Sequence, residues 1–181
     1  YDPIDDFIMT SLMEHDGKKL VSADSADLDL PPLEDEEKDK DKSESLSPKE
    51  VTNLAKWMQD TLGDKVKEVR ESKRILDRPA IIVNPDAGMT QGMRRIMKAS
   101  GRDFMPSGPQ VLEINPSHPI IVTIKKLRDG KGDKGFLQSC VEQIHDNALT
   151  EAGLMENPRP MVERINSILE RALKEEETKE K

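Results

Sequence analysis

His15, His118, His145 and Cys140 are the side chains here best suited to bind a transition metal or to act as base or nucleophile. Their spacing does not assemble a site. No histidine has a second His or Cys at ligand spacing. His118 falls just after Asn115 and His145 lies inside a helical stretch, so both read as structural or solvated. Cys140 sits on an apolar stripe and reads as a small core residue. No serine has an obvious base partner. The run Asp129-Gly130-Lys131-Gly132-Asp133-Lys134-Gly135 lacks the order of a phosphate-binding loop and follows no strand, so it reads as a connector. The chemistry on offer is that of surfaces.

Two surfaces stand out. In residues 86–99, Met89, Met93, Ile96 and Met97 fall on one helix face, with Arg94, Arg95 and Lys98 elsewhere. Methionine is flexible and polarizable, so such a stripe adapts to varied apolar partners. Periodicity alone favours ordinary packing against a sheet. The second surface is the final helix pair. Leu137, Val141, Ile144 and Ala148 repeat at helical spacing in residues 136–152, with Cys140 and Leu149 widening the stripe. Val162, Ile165, Leu169 and Ala172 do so in residues 158–173, with Met161, Ile168 and Leu173 alongside. Both stripes are wider than one antiparallel neighbour covers. Two coverings are open: a four-helix bundle with a second copy, or the rest of the same chain.

The elements that position these surfaces are legible in part. Ile4, Phe7, Ile8, Ser11 and Leu12 repeat as a short helix after Asp2-Pro3, and His15-Asp16-Gly17-Lys18 is a turn signal before Leu20-Val21, a possible strand opening. Residues 31–46 are a charged run that predicts a linker. Ser47-Pro48-Lys49-Glu50 is a capping box, and Val51, Leu54, Ala55, Met58 and Leu62 form the buried face of the helix it opens, with Trp57 beside it. Residues 66–76 and 80–84 are expected to pair as strands, and Val111-Leu112-Glu113-Ile114 is a third strand. Asn-Pro occurs at 84–85, 115–116 and 157–158 as an expected helix opener. After the second, residues 120–127 have strand propensity but also fit a helix face, and helix is chosen.

Composition limits the partners. The chain of 181 residues has net charge -8, which argues against a large basic surface for nucleic acid. Only 3% of residues are aromatic, so the core must be aliphatic. The single cysteine excludes an intrachain disulfide and fits a reducing compartment. No apolar run is long enough to predict a membrane span. The start at Tyr1, without a signal-peptide pattern, reads as a point partway along a longer protein.

Four segments resemble the C-terminal domain of the ninety-kilodalton heat-shock protein chaperones, above all their bacterial and mitochondrial members. They are Asp16-Gly17-Lys18 with Leu20-Val21-Ser22, Arg78-Pro79-Ala80-Ile81, Leu112-Glu113-Ile114-Asn115-Pro116-Ser117-His118, and Gln143 to Leu173. The resemblance covers nearly the whole chain and is weakest over 34–46.

The resemblance implies an α/β (α+β) fold: a small three-stranded sheet with flanking helices, ending in a helical hairpin that forms a dimeric four-helix bundle. It implies that residues 1–30 end a middle domain, 31–46 are the linker, 47–173 form the dimerisation domain and 174–181 are a charged tail. It implies a homodimer contact through Leu137, Val141, Ile144, Ala148, Val162, Ile165, Leu169 and Ala172. It turns Met89, Met93, Ile96 and Met97 from a core stripe into a surface for unfolded or partly folded client proteins. The ending Lys174 to Lys181 replaces the Met-Glu-Glu-Val-Asp motif of cytosolic eukaryotic members, so no tetratricopeptide co-chaperone is expected. ATP and magnesium are expected in the parent protein and no cofactor in this segment. Bacterial cytoplasm is the expected location, with mitochondrial matrix second.

Overall fold

The computed structural model describes residues 4–26, 28, 45–85, 89–101 and 108–179. It is a mixed α/β arrangement in which helices cover a small three-stranded sheet. The chain opens with α1 (Asp5–Leu12) and a two-stranded hairpin, β1 (Glu14–His15) and β2 (Lys18–Lys19). Asp16 and Gly17 turn it with positive φ angles of 50 and 71°, the geometry a two-residue hairpin requires. The strand forms two residues earlier than the expected opening at Leu20. The expected cap at Asp2-Pro3 lies outside the described residues, as does nearly all of the 31–46 linker. Leu46, placed in that linker by its sequence, is instead buried in the core, and its amide donates to the Pro116 carbonyl at 3.1 Å.

Helix α2 (Pro48–Leu62) starts at Ser47 with the expected capping box, and the five predicted residues of its apolar face are all buried. Glu50 bonds both Ser47 and Lys125. The bond from Lys125, then those from Ser47, push its carboxyl pKa down to about 2. A short 3-10 turn leads to β3 (Val66–Glu71), which ends five residues before the predicted boundary. Beyond Glu71 the chain turns so that Ser72 and Arg74 reach back to Glu113.

The expected pairing of β3 with β4 (Ala80–Val83) is not formed. The order is β3-β5-β4, with β5 (Gln110–Ile114) parallel to β3 and antiparallel to β4. Every residue of β5 is buried, and a strand closed on both sides and both faces is the natural centre of the sheet. Leu112 and Ile114 join the main core with α2 and α5, while Val111 belongs to a second small cluster with Ala26 and Val83 on the opposite face. The period of two along the strand sends Glu113 to that second face.

Helix α3 (Gln91–Ala99) begins later than residue 86. Residues 86–88 lie outside the described residues, and Met89 precedes the helix. Residues 119–129 form helix α4 (Pro119–Asp129), which settles the strand–helix conflict. Its cap is His118 and not Asn115: His118 Nδ1 accepts from the Ile120 amide at 3.2 Å. Asn115 instead closes a local turn by accepting from the Ser117 amide. Of the three Asn-Pro pairs, 157–158 directly opens a helix, with Asn157 accepting from the Arg159 amide at 3.2 Å. Helix α5 (Lys134–Glu151) is capped by Asp133, and the chain turns at Gly153, φ 70°, into α6 (Arg159–Lys179). The helix thus runs through most of the expected charged tail.

Candidate functional site

The two stripes of the final hairpin meet different fates. Leu137, Val141, Ile144 and Ala148 of α5 are all buried within one chain, where α5 packs against β4, α2 and α4. The sheet side of the same chain encloses these four, which were expected to meet a second copy. Cys140 packs half-buried at the edge of this core, and burial pushes its thiol pKa up.

Helix α6 lies on the opposite, polar side of α5. Arg164 pairs with Asp146 at 2.7 Å and with Glu142 at 2.9 Å. Arg171 pairs with Asp133 at 2.8 Å, and its guanidinium stands 3.9 Å from the centre of the Phe136 ring. Burial would raise the Asp146 carboxyl, but hydrogen bonds from His145 and Arg164, with the Arg164 charge, hold it below the ordinary range. Charge docks α6, and several of its apolar residues point elsewhere. Val162, Leu169 and Leu173 are 51%, 53% and 71% exposed, Ala172 is exposed, and Ile165 and Ile168 are half-buried. These side chains fall at helical spacing along α6, so the hairpin leaves an apolar strip uncovered.

The methionine surface is also split. Met93 is 8% exposed and its sulfur accepts from the Thr10 hydroxyl at 3.6 Å, because α1 packs on α3. Met93, expected on the client surface, contacts the N-terminal helix in this chain. Met89, Ile96 and Met97 are half-buried. A cleft of about 690 Å³ beside α1 is lined by Met9, Met13, Leu20, Val21 and Thr90 among others. Ile8, Met9, Leu12 and Met13, in and just after α1, are exposed.

Sequence reasoning missed a buried ionic cluster. Glu113, 3% exposed, accepts from Arg70 Nη2 at 2.9 Å and from the Ser72 hydroxyl at 3.0 Å, and pairs with Arg74 Nε at 3.0 Å. The signal was an acidic residue inside the otherwise apolar Val111-Leu112-Glu113-Ile114. The polar tie of α6 was missed too. Its signal was the like-charged Glu142 and Asp146 one turn apart, an arrangement that destabilises a helix unless a cation answers it.

The histidines are placed apart. His15 is exposed beside Asp16, His118 caps α4, and His145 is buried with Nδ1 3.2 Å from Asp146. Burial lowers the His118 pKa. Among the described residues no three His, Cys, Asp or Glu side chains are grouped to hold a metal ion, and no helix is long and apolar enough to cross a membrane.

The chain is 41% identical over 174 residues to the chaperone protein HtpG of Desulfitobacterium hafniense, covering 96% of this chain and 27% of that protein. It is 42% identical over 176 residues to HtpG of Desulfotalea psychrophila, covering 95% and 28%, and 34% identical over 173 residues to HtpG of Mycobacterium avium, covering 95% and 26%. The chain spans about a quarter of the length of these curated relatives. The family model described as "Hsp90 protein" matches residues 1–181, and the chain belongs to the Hsp90 family of chaperones.

Proposed function

We propose that this chain is the C-terminal, dimer-forming and client-contacting part of an ATP-dependent chaperone of the bacterial cytoplasm, whose nucleotide and magnesium sites lie outside these residues. The observation that carries this reading is the uncovered strip of α6, where Val162, Leu169 and Leu173 are more than half exposed. An amphipathic helix held to its neighbour by ion pairs, with its apolar side open, is suited to a second helix pair across a twofold axis. The contact is thus drawn from Val162, Ile165, Leu169, Ala172 and Leu173. Joining two parents there raises the effective concentration of their remaining domains for one another, which a cycle of ATP-driven closure needs. Met89, Ile96 and Met97, with the methionine-lined cleft beneath α1, offer unfolded clients an adaptable apolar surface.

Sedimentation equilibrium tests the dimer. The expected mass at micromolar concentration is twice the 20.4 kDa of one chain. Leu169→Asp places an unpaired charge in the contact and is expected to weaken association about 100-fold or more. A wild-type monomer under these conditions overturns the dimer. The burial of Leu137, Val141, Ile144 and Ala148 inside one chain favours a second reading, a monomeric peptide-binding adaptor using the methionine helix α3. That reading predicts a monomer that still binds an unfolded protein.

A further inference from the structure

Six buried polar residues among those described gather in one place. Ser25, Ser72, Asn84, Thr90, Gln91 and Glu113 lie on or beside the sheet face away from the main core. The segment Ser22–Ala26 crosses this region as a strap. Ser25 bridges Asn84 in parallel at the end of β4: the Asn84 amide donates to the Asp24 carbonyl at 2.7 Å, and the Ala26 amide donates to the Asn84 carbonyl at 2.7 Å. Arg74 Nη1 donates to the carbonyls of Ala23 and Ser25 at 3.0 and 3.1 Å, and Arg70 Nη2 donates to that of Ala26. Both guanidinium groups are held by Glu113 of the central strand. The strap is therefore clamped to the sheet through its backbone, independently of its side chains.

One side chain of the strap reaches further. Asp24 Oδ2 accepts from the amide of Gln91, the first residue of α3, at 2.5 Å, while Oδ1 accepts from the Ser22 hydroxyl at 2.5 Å. Thr90 supplies the local cap, accepting from the Met93 amide at 3.0 Å, and its own hydroxyl donates to Asp6 at 3.1 Å. Free amides at a helix start favour an anionic acceptor. Here the anion comes from 67 positions earlier in the chain. Helix α3 has nine residues, and of its apolar side chains only Met93 is buried. A helix so short is marginal without its caps.

We infer that the strap is a clasp that sets the position of α3: Asp24 holds the start of the helix only while Ser22–Ala26 is seated on the sheet, so displacing the strap loosens the surface formed by Met89, Ile96 and Met97. Asp24 is a positioning residue in this scheme and Glu113 its anchor. The clasp regulates the client surface proposed above and, as regards clients, rests on that reading. The geometry of the clasp itself does not.

Amide hydrogen exchange on the 181-residue chain tests it. Asp24→Ala is expected to speed exchange across residues 91–99 about fivefold, the effect of losing one helix cap, with β5 and α5 unchanged. Asp24→Asn keeps the acceptor oxygen and is expected to restore most of the protection. Unchanged exchange in α3, or a rise of the same size throughout the chain, overturns the clasp. Binding of reduced, carboxymethylated α-lactalbumin separates the two claims. Altered binding in Asp24→Ala supports the regulatory role. Faster α3 exchange with binding unchanged both there and in Met97→Asp leaves the clasp standing and overturns the client surface.

Discussion

Arg164 of α6 donates to Asp146 at 2.7 Å and to Glu142 at 2.9 Å, so one guanidinium closes two acidic positions a turn apart on α5. All three side chains are less than a quarter exposed. Arg164→Ala leaves both carboxylates partly buried and facing each other, and a loss of about 1–3 kcal/mol is expected, below the cost of breaking a fully buried pair. Urea unfolding of the chain measures it. Hydrogen exchange should rise first in residues 159–179.

The same clip has a pH dependence with a fixed sign. The Asp146 carboxyl is held below its ordinary value of 3.8 in the folded chain. A depressed carboxylate pKa stabilises fully above the unfolded value and loses that stabilisation as pH falls through the folded value. The stability difference between the wild type and Asp146→Asn is therefore expected to stay flat from neutral pH down to about 4 and to shrink below it. Thermal midpoints of both proteins across this range check the trend. A difference that shrinks between pH 7 and 5 contradicts it.

Burial separates the two stripes of the hairpin energetically. Ile144→Ala removes a side chain enclosed by its own chain and is expected to cost about 2–5 kcal/mol at any protein concentration. Leu169→Ala, on the open face of α6, is expected to cost little in dilute protein. If α6 joins two copies, its cost grows with concentration. Denaturation at two widely spaced concentrations distinguishes these behaviours.

Glu113→Ala leaves Arg70 and Arg74, 33% and 12% exposed, without their shared carboxylate, and a loss of about 1–3 kcal/mol is expected, below the cost of leaving fully buried charges unpaired. Arg78→Ala is the control. Its 2.9 Å pair with Glu151 is half exposed on both sides, so a loss under about 1 kcal/mol is expected. Denaturant midpoints of the two variants give the comparison directly.

Local signals carried much of the fold. The capping box at Ser47, the apolar face of α2 and the short apolar strand at Ala80–Val83 depend on neighbours within a turn or two, and each formed where its residues indicated. Partner choice over distance was less legible. Nothing in residues 66–84 tells β3 that its neighbour lies beyond α3. Nor does the spacing of Leu137, Val141, Ile144 and Ala148 reveal whether a sheet or a second chain covers them, because both present the same apolar surface. Met93 fits a helix stripe equally well whether it faces a client or α1. Charge was the signal left unread: Glu113 in a strand, and Glu142 with Asp146 on a helix, each required distant arginines.

The order β3-β5-β4 also governs how the chain can assemble during synthesis. Strands β3 and β4 emerge from the ribosome first and cannot bond to each other in this topology, because the slot between them belongs to β5. Until residues 110–114 appear, each offers a bare edge to any passing extended peptide. Closing the sheet then requires a parallel match between residues more than forty positions apart, a slow kind of contact to find. A nascent chain paused before residue 110 is therefore vulnerable to aggregation, and inserting one five-residue strand removes two edges at once.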